Sequence, residues 1–193
     1  AAEYTVGRFH GCYQNLTEQQ ASQLSREREI TEKSAWQLVC WGQVGADNAY
    51  KPYLRIMSMD PTLPDLLSIR LTQGRLPEKA GELLLPEHLW SNGSVRHALG
   101  DIMELELGHR TLGGEELTVY DSYTEGETLT DTTSHTYTVV GFYQRLDMTT
   151  EPFSCPGYTA LTCQEQGYQT DEFFRVDHPS RFYSYMEGNN EKY

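Results

Sequence analysis

Apolar and polar residues alternate over short stretches of this chain, and Gly and Pro cut the stretches apart, a pattern that predicts strands far more than helices. The clearest run is Ile102 to Leu107. Met103, Leu105 and Leu107 fall on one face, and Glu104 and Glu106 on the other. Such a run reads as a half-buried antiparallel strand, which Gly108 is expected to end. Tyr53 to Met59 alternates in the same way, and Ala35 to Val44 is rich in Trp, Val and Leu. Glu3 to Cys12, Leu83 to Leu85 (stopped by Pro86), Leu117 to Tyr123, Tyr137 to Tyr143, Ala160 to Thr162 and Glu172 to Val176 are further predicted strands. Thr124 to Ser134 is polar and threonine-rich, and is expected to be a long exposed hairpin loop.

Helix signals are few. Thr17 with Gln20 three residues later is a capping-box pattern, so a helix should run to about Arg28. Pro61 and Pro64 lead into a short helical piece, Asp65 to Leu71, and Glu87 to Trp90 reads as one turn. His178-Pro179-Ser180 should start a last helix ending near Glu187. The class is therefore α+β.

Charge narrows the function. The chain has 193 residues, with 28 Asp+Glu against 15 Lys+Arg, a formal net charge of -13. Such a chain repels phosphate backbones and anionic headgroups, so nucleic acid is excluded as a partner. Nine carboxylates fall between Asp101 and Asp131 against one base, Arg110. The plain reading is a solvated face; the sharper one is a surface for a cationic peptide or a basic partner protein.

No stretch approaches the ~18 apolar residues of a membrane span, and no signal peptide is recognisable. The chain opens at Ala1-Ala2-Glu3-Tyr4 without Met and is expected to be a piece of something longer. Cys12, Cys40, Cys155 and Cys163 include no CxxC pair. Cys12 and Cys40 both sit in predicted strands, and a bridge between them is one reading if those strands are neighbours in an oxidising compartment; free buried thiols are the other.

Catalytic signals are lacking. There is no phosphate loop, no nucleophile elbow and no His-Glu-x-x-His. None of the six histidines has another at helical i, i+4 spacing. A metal site from His88 and His97 with a distant carboxylate is the weaker reading, and turn histidines the plainer one. Cys155 has no base close in sequence to make its thiol nucleophilic. Tyr50, Tyr53, Tyr120 and Tyr123, with Trp36, Trp41 and Trp90, form either a binding patch or strand packing. No catalytic, cofactor-binding or metal-ligating residue is therefore assigned, no cofactor is expected, and the binding residues stay unassigned.

Three pieces in a fixed order resemble the extracytoplasmic domain of FtsX-like ABC transporter permeases, the MacB-like periplasmic core. The first is Leu16-Thr17-Glu18-Gln19-Gln20. The second is Gly74-Arg75-Leu76-Pro77 with Gly81-Glu82-Leu83. The third is Gly100-Asp101 with Leu105, then Tyr137-Thr138-Val139-Val140-Gly141-Phe142.

The resemblance implies two lobes. A porter-like α+β lobe would come from residues 1–60 and 149–193, and a β-rich lobe from 61–148 would be inserted in it. It also implies a non-catalytic domain outside a bacterial membrane, anchored by the permease's transmembrane helices. A cytoplasmic ATPase subunit would be its partner, and a homodimer is compatible with the full transporter. The long acidic loop departs from a minimal version of that domain. The alternative is a secreted or surface-anchored bacterial binding domain.

Overall fold

Strands form at most of the predicted stretches among the described residues, and several run further than the pattern predicts. The computed structural model describes residues 9–17, 19, 20, 22, 30–147 and 150–176. Among them are β1 (Gly11–Leu16), β2 (Ile30–Gln43), β3 (Tyr53–Met59), β4 (Leu71–Gly74) and β5 (Glu82–Pro86). They continue with β6 (Ile102–Leu112), β7 (Glu115–Glu116), β8 (Thr128–Tyr143), β9 (Gly157–Cys163) and β10 (Gln169–Val176). Two short helices, α1 (Leu63–Leu66) and α2 (His88–Gly93), lie between strands. The protein is mixed α/β, with one large sheet and few helices.

The sheet closes on itself. Its order is β1-β10-β2-β3-β9-β5-β8-β6-β7, and β2 also pairs with β6. The strands β2-β3-β9-β5-β8-β6 therefore form a ring, with β1 and β10 extending from β2. Pairing is parallel for β3 with β9 and for β5 with β8, and antiparallel at the other joints of the ring. Register shifts in β2 after Leu38, in β6 after Leu107 and between β5 and β8 after Leu83 bend the strands enough to close.

One core fills the ring. Leu54 and Ile56, Leu83 and Leu85, Met103, Leu105 and Leu107, Tyr137 and Val139, and Tyr158 and Ala160 are buried in a single cluster. Each set is spaced by two residues, so each strand turns one face inward. Leu89 of α2 joins the same cluster. A second cluster covers the outer face with Trp36, Trp41, Tyr53, Met57, Phe173 and the α1 leucines Leu63 and Leu66.

Several expectations change. Gly108 does not end β6 but sits in its bulge, and the strand continues to Leu112. Its longer arm pairs with Thr128 to Thr133, so most of the expected exposed loop is strand. The threonines there are β-branched and suit a pleated surface. Leu117 to Tyr123 is not strand, because the Asp121 carboxylate accepts the Thr118 amide at 2.8 Å and folds the segment into a turn. The helical piece after Pro61 ends earlier than expected, and Leu71 begins β4. The capping box does form: Thr17 N donates to Gln20 Oε1 at 3.0 Å, and Gln20 N to Thr17 Oγ1 at 3.3 Å. The rest of that expected helix, the N-terminal part of the first predicted strand and the helix after His178 lie outside the described residues.

The Cys12–Cys40 bridge is also corrected. All four cysteines are free. β10 lies between β1 and β2, so the two thiols are on strands two positions apart. That separation is about 9–10 Å across the sheet, beyond the reach of a disulfide.

Candidate functional site

The second and third of the pieces that carried the family resemblance meet at one place, whereas the first, Leu16 to Gln20, lies at the β1 edge of the sheet. Arg75 N donates to Val140 O at 3.0 Å, Thr138 N to Gly81 O at 2.8 Å, and Gly100 N to Val139 O at 2.8 Å. Val139 N returns a bond to Asp101 O at 2.8 Å. Stretches up to 65 residues apart in the chain thus knot around the end of β8. Gly141 is required there by close approach: a Cβ would come within 2.5 Å of Arg75 O and 3.0 Å of Gln73 O. The Arg75 guanidinium grips Glu82, whose Oε1 also accepts the Glu78 amide at 3.0 Å. The Arg75 bond outweighs burial and holds the Glu82 carboxyl at about 2. This knot is held by backbone hydrogen bonds and by the Arg75–Glu82 pair.

A cleft opens at the α2 end of the ring. Its walls are Asn48, Tyr50, Lys51, His88, Ser91, Asn92, Arg145, Phe153 and Cys155, around a volume of about 620 Å3. Parallel pairing builds it. Tyr53 and Gly157 are in register on β3 and β9, so Lys51 and Cys155 each lie two residues before a paired position. Lys51 Nζ consequently reaches Cys155 O at 3.3 Å and Glu151 Oε1 at 2.8 Å.

Glu151 is buried beneath this cleft. Its Oε1 also meets His88 Nε2 at 2.9 Å, and its Oε2 accepts the Thr159 amide at 3.0 Å. Burial opposes its charge, but the His88 bond and the Lys51 charge outweigh that and hold the carboxyl well below the usual carboxylate range. Behind it, the buried Arg55 donates to Thr150 O at 2.8 Å and lies over Trp36, 5.2 Å from the ring centroid. The His88 Nδ1 atom is buried with no hydrogen-bond partner.

The residues singled out in the sequence separate. His88 pairs with Glu151 and His97 with Asp101, so no shared metal site joins them. Among the described residues no three His, Cys, Asp or Glu side chains gather as metal ligands. Cys155 is buried, and burial pushes its thiol up, away from the reactive thiolate. Trp36, Trp41 and Tyr53 are core, whereas Tyr50 and Tyr120 are exposed. Arg96 lies over Trp90, 5.0 Å from the centroid. Of the acidic stretch, Glu127 is buried against Arg110, while Glu104, Glu106, Glu115, Glu116, Glu125 and Asp131 remain exposed. Lys51, Arg145 and Glu151 were missed. Their spacing matches no motif, and the β3–β9 and β5–β8 registers together bring them to one cleft.

No protein-family model and no curated protein matches this chain. Solved structures do. A domain assigned to a permease protein of Porphyromonas gingivalis aligns over 91% of this chain and 64% of its own length, at 10% identity and a TM-score of 0.45. The periplasmic region of MacB from Actinobacillus actinomycetemcomitans aligns over 86% of this chain and 67% of its own, at 13% identity and 0.45. The extracellular domain of the ABC-type transporter YknZ from Gram-positive bacteria aligns over 88% and 77%, at 9% identity and 0.48. The chain thus spans just under two thirds of the first of these. Among the described residues no helix is long and apolar enough to cross a membrane.

Proposed function

We propose that this chain is the non-catalytic extracytoplasmic domain of a bacterial ABC transporter permease of the FtsX/MacB-like type. The observation that carries this reading is the knot around β8. Two of the three motif pieces read in order along the sequence converge there on one set of backbone bonds. The domain would transmit conformational change, or bind a ligand, outside a membrane in which the permease's own helices anchor it. A cytoplasmic ATPase would be its partner, since the chain has no phosphate loop. The exposed carboxylates of β6–β8 remain the surface for a basic protein or a cationic peptide.

The two-lobe division, 1–60 with 149–193 and 61–148, belongs to the same proposal. β2, β3 and β9 come from the first set of residues, and β5, β6 and β8 from the second. The backbone pairing between the two triplets is short, Leu84 with Leu161 on one side and Trp41 and Gly42 with Gly108 and Leu107 on the other, while a single core cluster spans both.

The test is the topology of the complete gene product. Apolar spans of about 20 residues should flank this segment. A Tyr50→Cys variant of the full-length protein should react in intact cells with a membrane-impermeant maleimide, above the parent's background. A reading frame without such spans, or labelling only after lysis, overturns the proposal.

A further inference from the structure

We propose that the cleft beside α2 binds a small carboxylate ligand, its carboxylate between Lys51 and Arg145 and an apolar or aromatic part against Tyr50 and Phe153. Among the described residues the walls carry Lys51, His88 and Arg145 and not one Asp or Glu, in a chain with 28 of them. Glu151 is fully buried beneath the floor, and Asp47 and Asp147 are not wall residues. An acidic protein thus presents a cationic hollow here, where low-dielectric walls strengthen attraction for an anion.

Each wall group has a distinct part. Glu151 fixes the Lys51 ammonium and the His88 ring from below. Arg145 is exposed and makes no hydrogen bond or ion pair with another described residue. Its planar fork suits a carboxylate. Lys51 is partly spent on Glu151, so the remaining charge suits a monoanion better than a phosphate dianion. Asn48, Ser91 and Asn92 offer further polar contacts. Tyr50 and Phe153 are 82% and 86% exposed, an unusual placement for two large aromatics that flank the same charged hollow. The orphaned Nδ1 of His88 marks an incomplete hydrogen-bond set at the floor. The volume, about 620 Å3, lies within the range of small-ligand sites, roughly 300–1,000 Å3.

The experiment is an NMR titration of the 193-residue chain with N-acetylphenylalanine and with its uncharged amide. The acid should bind saturably, and the amide at least about tenfold more weakly. Arg145→Gln, an exposed change that should leave the melting temperature intact, should weaken the acid by about tenfold and the amide little. Phe153→Ala should weaken both. A second pair, Ac-Ala-Ala-Phe with a free or an amidated C-terminus, separates a free small acid from a peptide C-terminus; binding of either acid supports the site. The proposal fails if neither acid saturates by about 10 mM, if acid and amide bind alike, if Arg145→Gln changes nothing, or if inorganic phosphate displaces the acid at lower concentration. These outcomes are read on the isolated chain, so they stand or fall apart from the membrane topology.

Discussion

Arg110 donates from Nε and Nη2 to the two carboxylate oxygens of Glu127, at 2.8 and 3.0 Å, with both side chains out of solvent. Its remaining donors reach Thr118 O and Asp121 O, each at 2.9 Å. The guanidinium lies over Trp41, 5.0 Å from the ring centroid. The one base of the acidic stretch is therefore an internal clamp, which holds residues 118–127 against the outer wall of the ring.

Removing one half of this clamp strands the other. Arg110→Ala should destabilise the protein by about 3–5 kcal/mol, because Glu127 is left buried and unpaired. Arg110→Met with Glu127→Leu should recover most of that loss. Chemical denaturation measures both, and a cost below about 1 kcal/mol for the single change would contradict the clamp.

Acid should weaken the fold in a defined window. Glu82 and Glu151 are depressed in the folded protein, whereas the unfolded chain titrates near about 4.3. Below that value the unfolded state binds more protons, so stability is fully present above it. It is lost as pH falls toward about 2 for Glu82, and lower for Glu151. Glu151→Gln and Glu82→Gln should each flatten the stability profile between about pH 4 and pH 2, as read by urea midpoints. A profile of unchanged slope in both variants contradicts the assignment.

Gly141→Ala tests the knot. The new methyl group would meet the Arg75 and Gln73 carbonyls, which are backbone and cannot swing aside. The expected cost is about 1–3 kcal/mol. It should come with faster hydrogen exchange at the Arg75 amide, whose bond to Val140 is the nearest one strained.

The cysteines should behave as free thiols. Alkylation of the unfolded, unreduced chain should add four groups, and the melting temperature should not respond to reductant. Cys155 should resist alkylation until the fold opens, because it is buried. Mass spectrometry of the labelled peptides decides this.

What could be read from the residues alone was local. Alternation placed β3 and the inward face of β6, and the Thr17–Gln20 cap was legible because its partners lie three residues apart. Gly and Pro marked the turn before β5. The same logic erred where a distant strand set the outcome. Gly108 looked like a stop, but β8 supplies the partner that carries β6 onward. Of the two readings left open for Cys12 and Cys40, β10 between their strands decides for free thiols. Ring closure through β2 and β6 rests on two residue pairs that no periodicity encodes. The cleft depends even more on tertiary structure. Lys51, His88 and the Arg145–Glu151 connection come from three separate stretches, and two parallel pairings, Tyr53 with Gly157 and Pro86 with Tyr143, assemble them. Side-chain period reports which face is buried; only the packed sheet decides which charges meet, because strand pairing is a long-range choice.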